Sequence, residues 1–523
     1  MKKGGKAMNY PKTKFVKDFA PGPEARVELK NGRFVDVVNG CYFDPGISVM
    51  IQGPKIISLP RSDEGPNRIK PDFTIDCQGK TVMPGLFNTH CHITITAPTT
   101  LPDRKDLKGF KAFGDKQIEK NMAECLIHGI TTIRDAYAED LRRTRLLRER
   151  ISKGEIPGPR FLQSIVVGPP GGYLLEKVGL VARWMRSALG IPSVSHTLPY
   201  SGGVEFPIEA SEQQVRDAVD KAIEERGAEV IKIGEQKENM TNYKPTSTVM
   251  TQNQLNAIAD QARKRGLKST IHQVSVASFK RAVEAGISSL AHLPRDGVLT
   301  QQDIEAFLSK GCFIDPTLSV PYDVSYKVKG EPTFDDPDMN LLTEFRNRVH
   351  SVLVDEYWIP EFKAGAQKHY DKANSGKMKV FGFMPMTTMF KYYAPAAVYG
   401  ARNIRLLFKN KAKITLSNDG GIPPCTPAMM QQEIDLFDLF LNKGTGENIF
   451  KGADAVKMAT INSAVCLGLE NNLGSIETGK TADLALVDGD PFQDPHVVGS
   501  RVAALFKDGR LVINNCGLKM EKA

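Results

Sequence analysis

No pair of the eight cysteines in this 523-residue chain is spaced as CxxC. They stand singly at Cys41, Cys77, Cys91, Cys125, Cys312, Cys425, Cys466 and Cys516, which excludes a disulfide scaffold and a cysteine-rich zinc module. Reduced thiols in a cytoplasmic protein are the simplest expectation. Long apolar runs are also missing, so no bilayer span is expected. The start, Met1-Lys2-Lys3-Gly4-Gly5-Lys6, carries charge with no apolar stretch behind it, so no secretory leader is expected. Strict repeats and low-complexity tracts are absent, which argues against a solenoid or a disordered chain. A strong charge bias is lacking as well: 69 basic against 60 acidic residues give a formal +9. The densest basic stretch, Arg142, Arg143, Arg145, Arg148 and Arg150, is interrupted by Leu141, Leu146 and Leu147. It reads as an amphipathic helix with a solvated face rather than a nucleic-acid site. A small-molecule substrate, no nucleic-acid or membrane partner, and a homo-oligomer are expected.

What is present is an α/β pattern between two β-rich ends. Arg26–Leu29, Phe34–Val38 and Ser48–Ile51 are short strands separated by turns. Ala482–Val487, Arg501–Phe506 and Leu511–Ile513 repeat that texture, the last two joined by a hairpin-like Lys507-Asp508-Gly509-Arg510. One β-sandwich built from both ends, 22–82 with 470–518, is expected. Between them, helices alternate with apolar strands: Gly129–Ile133, Leu141–Ile151, Val215–Arg226, Glu229–Ile233, Leu255–Arg265, Ser269–His272, Ser278–Ala285, Ser288–His292, Ile304–Lys310 and Cys312–Asp315. That many α-then-β units favour a parallel sheet closed into a (β/α)8 TIM barrel over 83–469. The stretch 321–395 after the seventh strand is a long insertion holding Met384, Met386, Met389, Phe390, Tyr392 and Tyr393. It is expected to be a lid, a dimer contact or ordinary core.

Only nine histidines exist. His90 and His92, in Asn88-Thr89-His90-Cys91-His92, fall on one face of a strand, because successive side chains alternate. Two imidazoles so placed can hold one cation, or they can be hydrogen-bonded strand residues. His272 and His292 each close a strand that follows a helix, and barrel strand ends meet at one rim. Lys232, in Val230-Ile231-Lys232-Ile233, is an amine in an apolar strand. Burial would lower its pKa and allow it to add carbon dioxide, giving a carbamate with two ligand oxygens. The alternative is an ion pair with Glu235. Asp419, in Ser417-Asn418-Asp419-Gly420-Gly421, is either a rim carboxylate that binds a cation and moves a proton, or a turn residue ahead of glycines.

Taken together, these segments resemble the amidohydrolase superfamily, in particular the imidazolonepropionase-like branch with its prolidase-like and ochratoxinase-like amidases. Pro84-Gly85-Leu86-Phe87-Asn88-Thr89-His90-Cys91-His92, Gly129–Asp135, Gly227–Ile233, Leu290-Ala291-His292 and Gly474–Leu484 carry the likeness. It spans most of the chain except 321–395. The resemblance implies two divalent metal ions, with zinc suited to the ligand set and manganese or cobalt as alternatives. His90, His92 and Asp419 would hold one, His272 and His292 the other, and carboxylated Lys232 would bridge them. Asp419 would be the catalytic proton carrier. The implied reaction is cleavage of an amide, imidopeptide or cyclic amide C–N bond by a metal-bound hydroxide. A one-metal deaminase, which does not need Lys232, is an alternative, and a non-catalytic assembly subunit is another. There are two departures, the second of which bears on substrate. Asn418 stands where relatives often carry threonine, and Gly171-Gly172-Tyr173 where many have two glycines and a histidine. Tyr173 is therefore a candidate substrate-binding residue, with His196 either a compensating one or a surface-loop histidine.

Overall fold

The apolar strands of the middle section line up side by side in a single parallel sheet. The computed structural model describes residues 13–17, 19, 21–62, 68–94, 110–176, 194–238, 245–320, 357–360, 379–380, 384–421 and 425–523. Eight strands form the sheet in chain order: β1 (Leu86–Cys91), β2 (Ile130–Asp135), β3 (Arg160–Gly168), β4 (Val230–Glu235), β5 (Lys268–Gln273), β6 (Ser289–Ala291), β7 (Phe313–Asp315) and β8 (Lys413–Ile414). Gly203–Glu205 adds a short parallel pairing beside β3. Every residue of β1, β2 and β4 is buried, as expected of a parallel sheet covered by helices.

The sheet is curled, and the segment that follows one edge strand, β8, touches the other edge strand, β1. Beyond β8 the chain runs on to β1, where the Asp419 amide donates to the His90 carbonyl (2.8 Å) and the His92 amide to the Gly420 carbonyl (2.6 Å). Cys91 and Gly420 form a parallel bridge there. A left-handed backbone at Asp419 (φ 52°) and at Gly421 (φ 107°) turns the chain at this seam. A Cβ on Gly420 would sit 2.4 Å from the backbone of Thr426 and Pro427, so only glycine fits.

The helices between strands begin where side-chain caps allow. Ser211 caps α3 (Glu212–Glu224), Thr251 caps α4 (Gln252–Lys264), Ser275 caps α5 (Val276–Ala285) and Thr300 caps α6 (Gln301–Lys310). Each also forms a reciprocal box with the residue three further on. Two earlier helices, α1 (Phe110–Ile127) and α2 (Leu141–Ser152), follow β1 and β2. The arginines of α2 are engaged with their neighbours. Arg142 pairs with Asp140, Arg143 with Asp115, Arg148 with Glu229 and Arg150 with Glu119, and Arg145 donates to the Arg226 carbonyl.

Two further sheets combine strands from both ends of the chain. One runs Met520–Lys522, Phe73–Asp76, Arg26–Lys30, Val49–Gln52, Lys55–Ser58. The other runs Arg510–Asn514, Ala504–Lys507, Leu484–Val487, Thr81–Pro84, Arg33–Asp36, Cys41–Tyr42. They share a core that includes Val27, Leu29, Ile51, Ile75, Leu484 and Phe506. Arg160 at the start of β3 ties this unit to the parallel sheet through Asp483 and Asp508.

Of the insertion expected at 321–395, residues 321–356, 361–378 and 381–383 lie outside the described residues, as do the side chains of Met384, Met386, Met389, Phe390, Tyr392 and Tyr393. Residues Tyr357–Pro360 lie against α1. There the Gln117 side chain donates to the Tyr357 carbonyl (2.8 Å) and accepts from the Ile359 amide (2.9 Å). The helix α7 (Met386–Lys409) crosses the expected end of the insertion and leads into β8. Among the described residues no helix is long and apolar enough to cross a membrane, and all eight cysteines are free thiols.

Candidate metal centre

Strand ends bring the widely spaced histidines together. His90 and His92 leave β1 on one face, as alternation requires, with ring centroids 5.7 Å apart. His292, just past β6, lies 5.3 Å from His90 and 4.5 Å from His272 at the end of β5. Asp419 reaches in from the β8 seam. Its Oδ1 is 3.2 Å from His90 Nε2 and 3.1 Å from His92 Nε2. Ligand atoms of His90, His292 and Asp419 all fall within 4.8 Å of one another. His292 and Asp419 both have positive φ, 69° and 52°, an uncommon backbone for such residues that recurs at functional sites.

Lys232 belongs to the same cluster. Its side chain is buried and Nζ has no hydrogen-bond partner. The ion pair with Glu235 does not form. Residues three apart on a strand face opposite ways, and Glu235 instead binds Arg281 on α5. Burial, followed by the Arg134 guanidinium, pushes the Lys232 amine down to about 7, against the opposing pull of Asp419 and Asp315. The charge of Lys232 in turn acts on His90, His272 and His292.

Burial and Lys232 lower His90 to about 3. Burial also holds His272 and His292 well below the ordinary imidazole value; His292, Lys232 and Arg295 add to it at His272, while at His292 Asp419 opposes it and His90, Arg295 and Lys232 add to it. Burial would lower His92 too, but Asp419, with Asp135 and the Tyr137 carbonyl, more than offsets it and the ring ends above its usual value. Burial would raise Asp419, yet His90 and His92 hold it well below the carboxylate range.

The outer nitrogens are oriented by neighbours. His92 Nδ1 meets the Tyr137 carbonyl at 3.2 Å, and His292 Nδ1 meets Thr317 Oγ1 at 2.6 Å. His272 Nε2 meets Gln236 Oε1 at 2.8 Å. Burying imidazoles, a carboxylate and an amine with His90 Nδ1, Asp419 Oδ1 and Lys232 Nζ left without hydrogen bonds is costly. A cation held among mixed nitrogen and oxygen donors would meet that need, so the residues fit the implied metal.

A second buried set lies beneath. Arg134 on β2 and Asp315 on β7 form an ion pair of 2.7 Å with no exposure of either side chain. Asp315 also accepts from Thr89 (2.7 Å) and Thr415 (2.5 Å), the residues that lead to His90 and to Asp419. Asn418 earns its place at the seam in the same way. Its Oδ1 accepts from Asn88 Nδ2 (2.7 Å) and the Gly420 amide (3.0 Å), while Nδ2 donates to the Thr426 carbonyl (2.8 Å).

Of the two candidate substrate residues, Tyr173 lies at the cluster, stacked on His272 with centroids 3.9 Å apart. His196 hydrogen-bonds Ser201 (3.1 Å) and abuts Gly203 on the strand extension beside β3. Gln236 and Thr317 went unmarked by sequence reasoning. Their only signal is a polar residue one to two positions past a strand end.

With this geometry in view, the comparisons with known proteins are decisive on family. The sequence profile of the amidohydrolase family matches residues 81–512. The chain belongs to the amidohydrolase family. That makes it kin to hydrolases acting on carbon–nitrogen bonds. A 194-residue stretch is 32% identical to a 5-methylthioadenosine/S-adenosylhomocysteine deaminase of Saccharophagus degradans, covering 34% of this chain and 38% of that protein. A 133-residue stretch is 31% identical to the deaminase of the same name from Acetivibrio thermocellus, 23% of this chain and 30% of that relative. The chain thus matches less than two fifths of the length of these curated relatives. Among solved structures, a prolidase complexed with N-methylphosphonate-L-proline superposes with a TM-score of 0.64 at 20% identity, over 94% of this chain and 100% of that one. A. niger ochratoxinase gives 0.60 at 18% identity, over 93% and 96%. At such identities the likeness is one of fold.

Proposed function

We propose that this amidohydrolase is a metal-dependent hydrolase of an amide, imidopeptide or cyclic amide C–N bond, built on a closed (β/α)8 barrel. The barrel would span 83–469, beside a sandwich formed by both chain ends. His90, His92 and Asp419 would hold one divalent cation and His272 and His292 a second, zinc being the best match to these donors. Carboxylated Lys232 would bridge them. Its neutral amine adds to carbon dioxide, an N–C bond forms and one proton leaves to solvent. The observation that carries the reading is Lys232 Nζ, buried without a hydrogen-bond partner among residues that its charge acts on.

The chemistry supplied by the bound pair is a water acidified towards neutral pH and a polarised carbonyl. Asp419, kept ionised by His90 and His92, takes the proton of the attacking water and passes it to the leaving nitrogen. His92 and His292 are fixed by Tyr137 and Thr317, so their inward nitrogens keep one orientation.

The test is elemental analysis of chain purified without chelator, with about two metals per chain expected. Fewer than one per active chain removes the two-metal centre. The names of the partial relatives favour a second reading, a one-metal deaminase. Lys232→Ala separates the two, since full activity in that variant supports the one-metal route. A screen of N-acyl amino acids, Xaa-Pro dipeptides and lactam-like rings addresses substrate.

A further inference from the structure

We propose that Tyr173 and Gln236 are positioning residues for His272, clamping its ring from the face and from the edge so that one nitrogen is presented to the centre. The inference rests on the metal-dependent reading above and deepens it. It assigns Tyr173 a role through His272 rather than direct contact with substrate.

The edge clamp starts from the orientation of one amide. Gln236 Nε2 donates to the Glu238 carbonyl at 2.8 Å. Only one end of an amide can donate, so Oε1 is the atom that faces His272. An acceptor 2.8 Å from His272 Nε2 places the ring proton on Nε2 and leaves the lone pair on Nδ1. The ring is buried, and a neutral imidazole has one proton and one lone pair to assign.

The face clamp is a built feature of the loop after β3. Tyr173 and His272 are close to parallel, 19° apart, with centroids at 3.9 Å. The turn that presents Tyr173 is closed at several points. The Gly171 amide donates to the Leu175 carbonyl (3.0 Å), the Leu175 amide to Gly172 (2.9 Å) and the Thr248 amide to Gly171 (3.0 Å). Thr248 Oγ1 also donates to the Pro170 carbonyl (3.0 Å). Gly171 and Leu174 both take a left-handed backbone, φ 78° and 68°. Opposite, β4 carries Gly234, where a Cβ would lie 2.4 Å from the Tyr173 carbonyl oxygen and 3.0 Å from its Cβ. A glycine in a fully buried strand, two residues from Lys232, is what lets Tyr173 approach His272 so closely. With a face and an edge both held, the ring has neither rotation about its long axis nor a choice of tautomer.

The test compares variants that keep each clamp with variants that remove it, using proteins loaded with zinc or reconstituted with cobalt(II). Tyr173→Phe keeps the stacked ring and Tyr173→Leu removes it. Gln236→Glu keeps an oxygen acceptor towards Nε2, and Gln236→Ala removes it. The readouts are metal equivalents per chain, the rate of metal release to a chelator and the visible cobalt(II) spectrum. We expect Tyr173→Leu and Gln236→Ala to release one of the two metals at least tenfold faster than the parent, with a changed cobalt spectrum. Tyr173→Phe and Gln236→Glu should stay within about twofold, with the parent spectrum. If the parent holds two metals and both disruptive variants match its release rate and spectrum, the clamp is wrong and the metal centre stands. If the parent itself holds no metal, the metal-dependent reading fails and the clamp falls with it. Gln236→Ala keeps the proposal falsifiable should Tyr173→Leu fail to fold.

Discussion

Removing Asp315 should destabilise the protein by about 4 kcal/mol, because it strands Arg134 in the interior. The pair lies at 2.7 Å with neither side chain exposed. Loss of one partner of a buried ion pair typically costs about 3–5 kcal/mol, since the remaining charge is neither solvated nor paired. Asp315→Ala also removes the acceptor shared by Thr89 and Thr415, although those two hydroxyls remain 2.9 Å apart and can satisfy one another. For a chain of 523 residues unfolding cooperatively, such a loss lowers Tm by about 4 °C. The informative variant is the double one, Arg134→Met with Asp315→Leu. It removes both charges and should be less destabilised than either single variant, by about 2 kcal/mol or more. Urea unfolding followed by circular dichroism, at fixed metal loading, measures the parent, Asp315→Ala, the singles Arg134→Met and Asp315→Leu, and the double variant. An Asp315→Ala variant within about 1 kcal/mol of the parent, or a double variant as unstable as the sum of the singles, would refute the reasoning.

Three further outcomes follow from the geometry. Gly420→Ala forces a Cβ against the Thr426–Pro427 backbone, so it should cost about 1–3 kcal/mol and, by shifting Asp419, lower kcat more than it raises KM. Thermal melts and steady-state kinetics check both. Asp419→Asn should abolish turnover while leaving a folded chain, because an amide cannot accept the proton; turnover within tenfold of the parent would contradict that role. His496 is raised to about 9 by Asp435, against burial and with help from Asp494, from an ordinary value of 6.5. Its contribution to stability is therefore complete below about pH 6.5 and is lost as pH rises through about 9. With the side chain 38% exposed, solvent screening keeps that contribution under about 1 kcal/mol. The Tm difference between parent and His496→Ala should shrink between pH 6 and about 10, and a difference that grows with pH would be inconsistent.

Much of the site could be read from one dimension because strands are short and their ends converge. His90 and His92 announce themselves by alternation, while His272 and His292 do so by closing apolar runs. Lys232 stands out as an amine in a segment that has to be buried. The same logic resolves its two readings only in three dimensions. Whether Lys232 has a partner depends on what faces it across the sheet, and Glu235 turns out to be held by Arg281, 46 residues on. Residues that act through others were illegible for that reason. Gln236 and Thr317 are ordinary loop polars until their partners His272 and His292 are brought to them. Asp315 likewise reads as the end of an apolar strand, and nothing nearby in sequence points to Arg134. Asp419 illustrates a different limit. The turn reading and the rim reading both describe it, since the left-handed backbone that makes it a turn residue is what aims its carboxylate at His90 and His92.

The most direct test of the central claim is a crystal structure with anomalous diffraction recorded at the absorption edge of whichever metal the purified chain carries. The account predicts two anomalous peaks, both enclosed by His90, His92, His272, His292, Asp419 and Lys232, with extra density extending Lys232 Nζ. Peaks elsewhere, or a metal-replete and active chain with an unmodified Lys232 and a single peak, would contradict it.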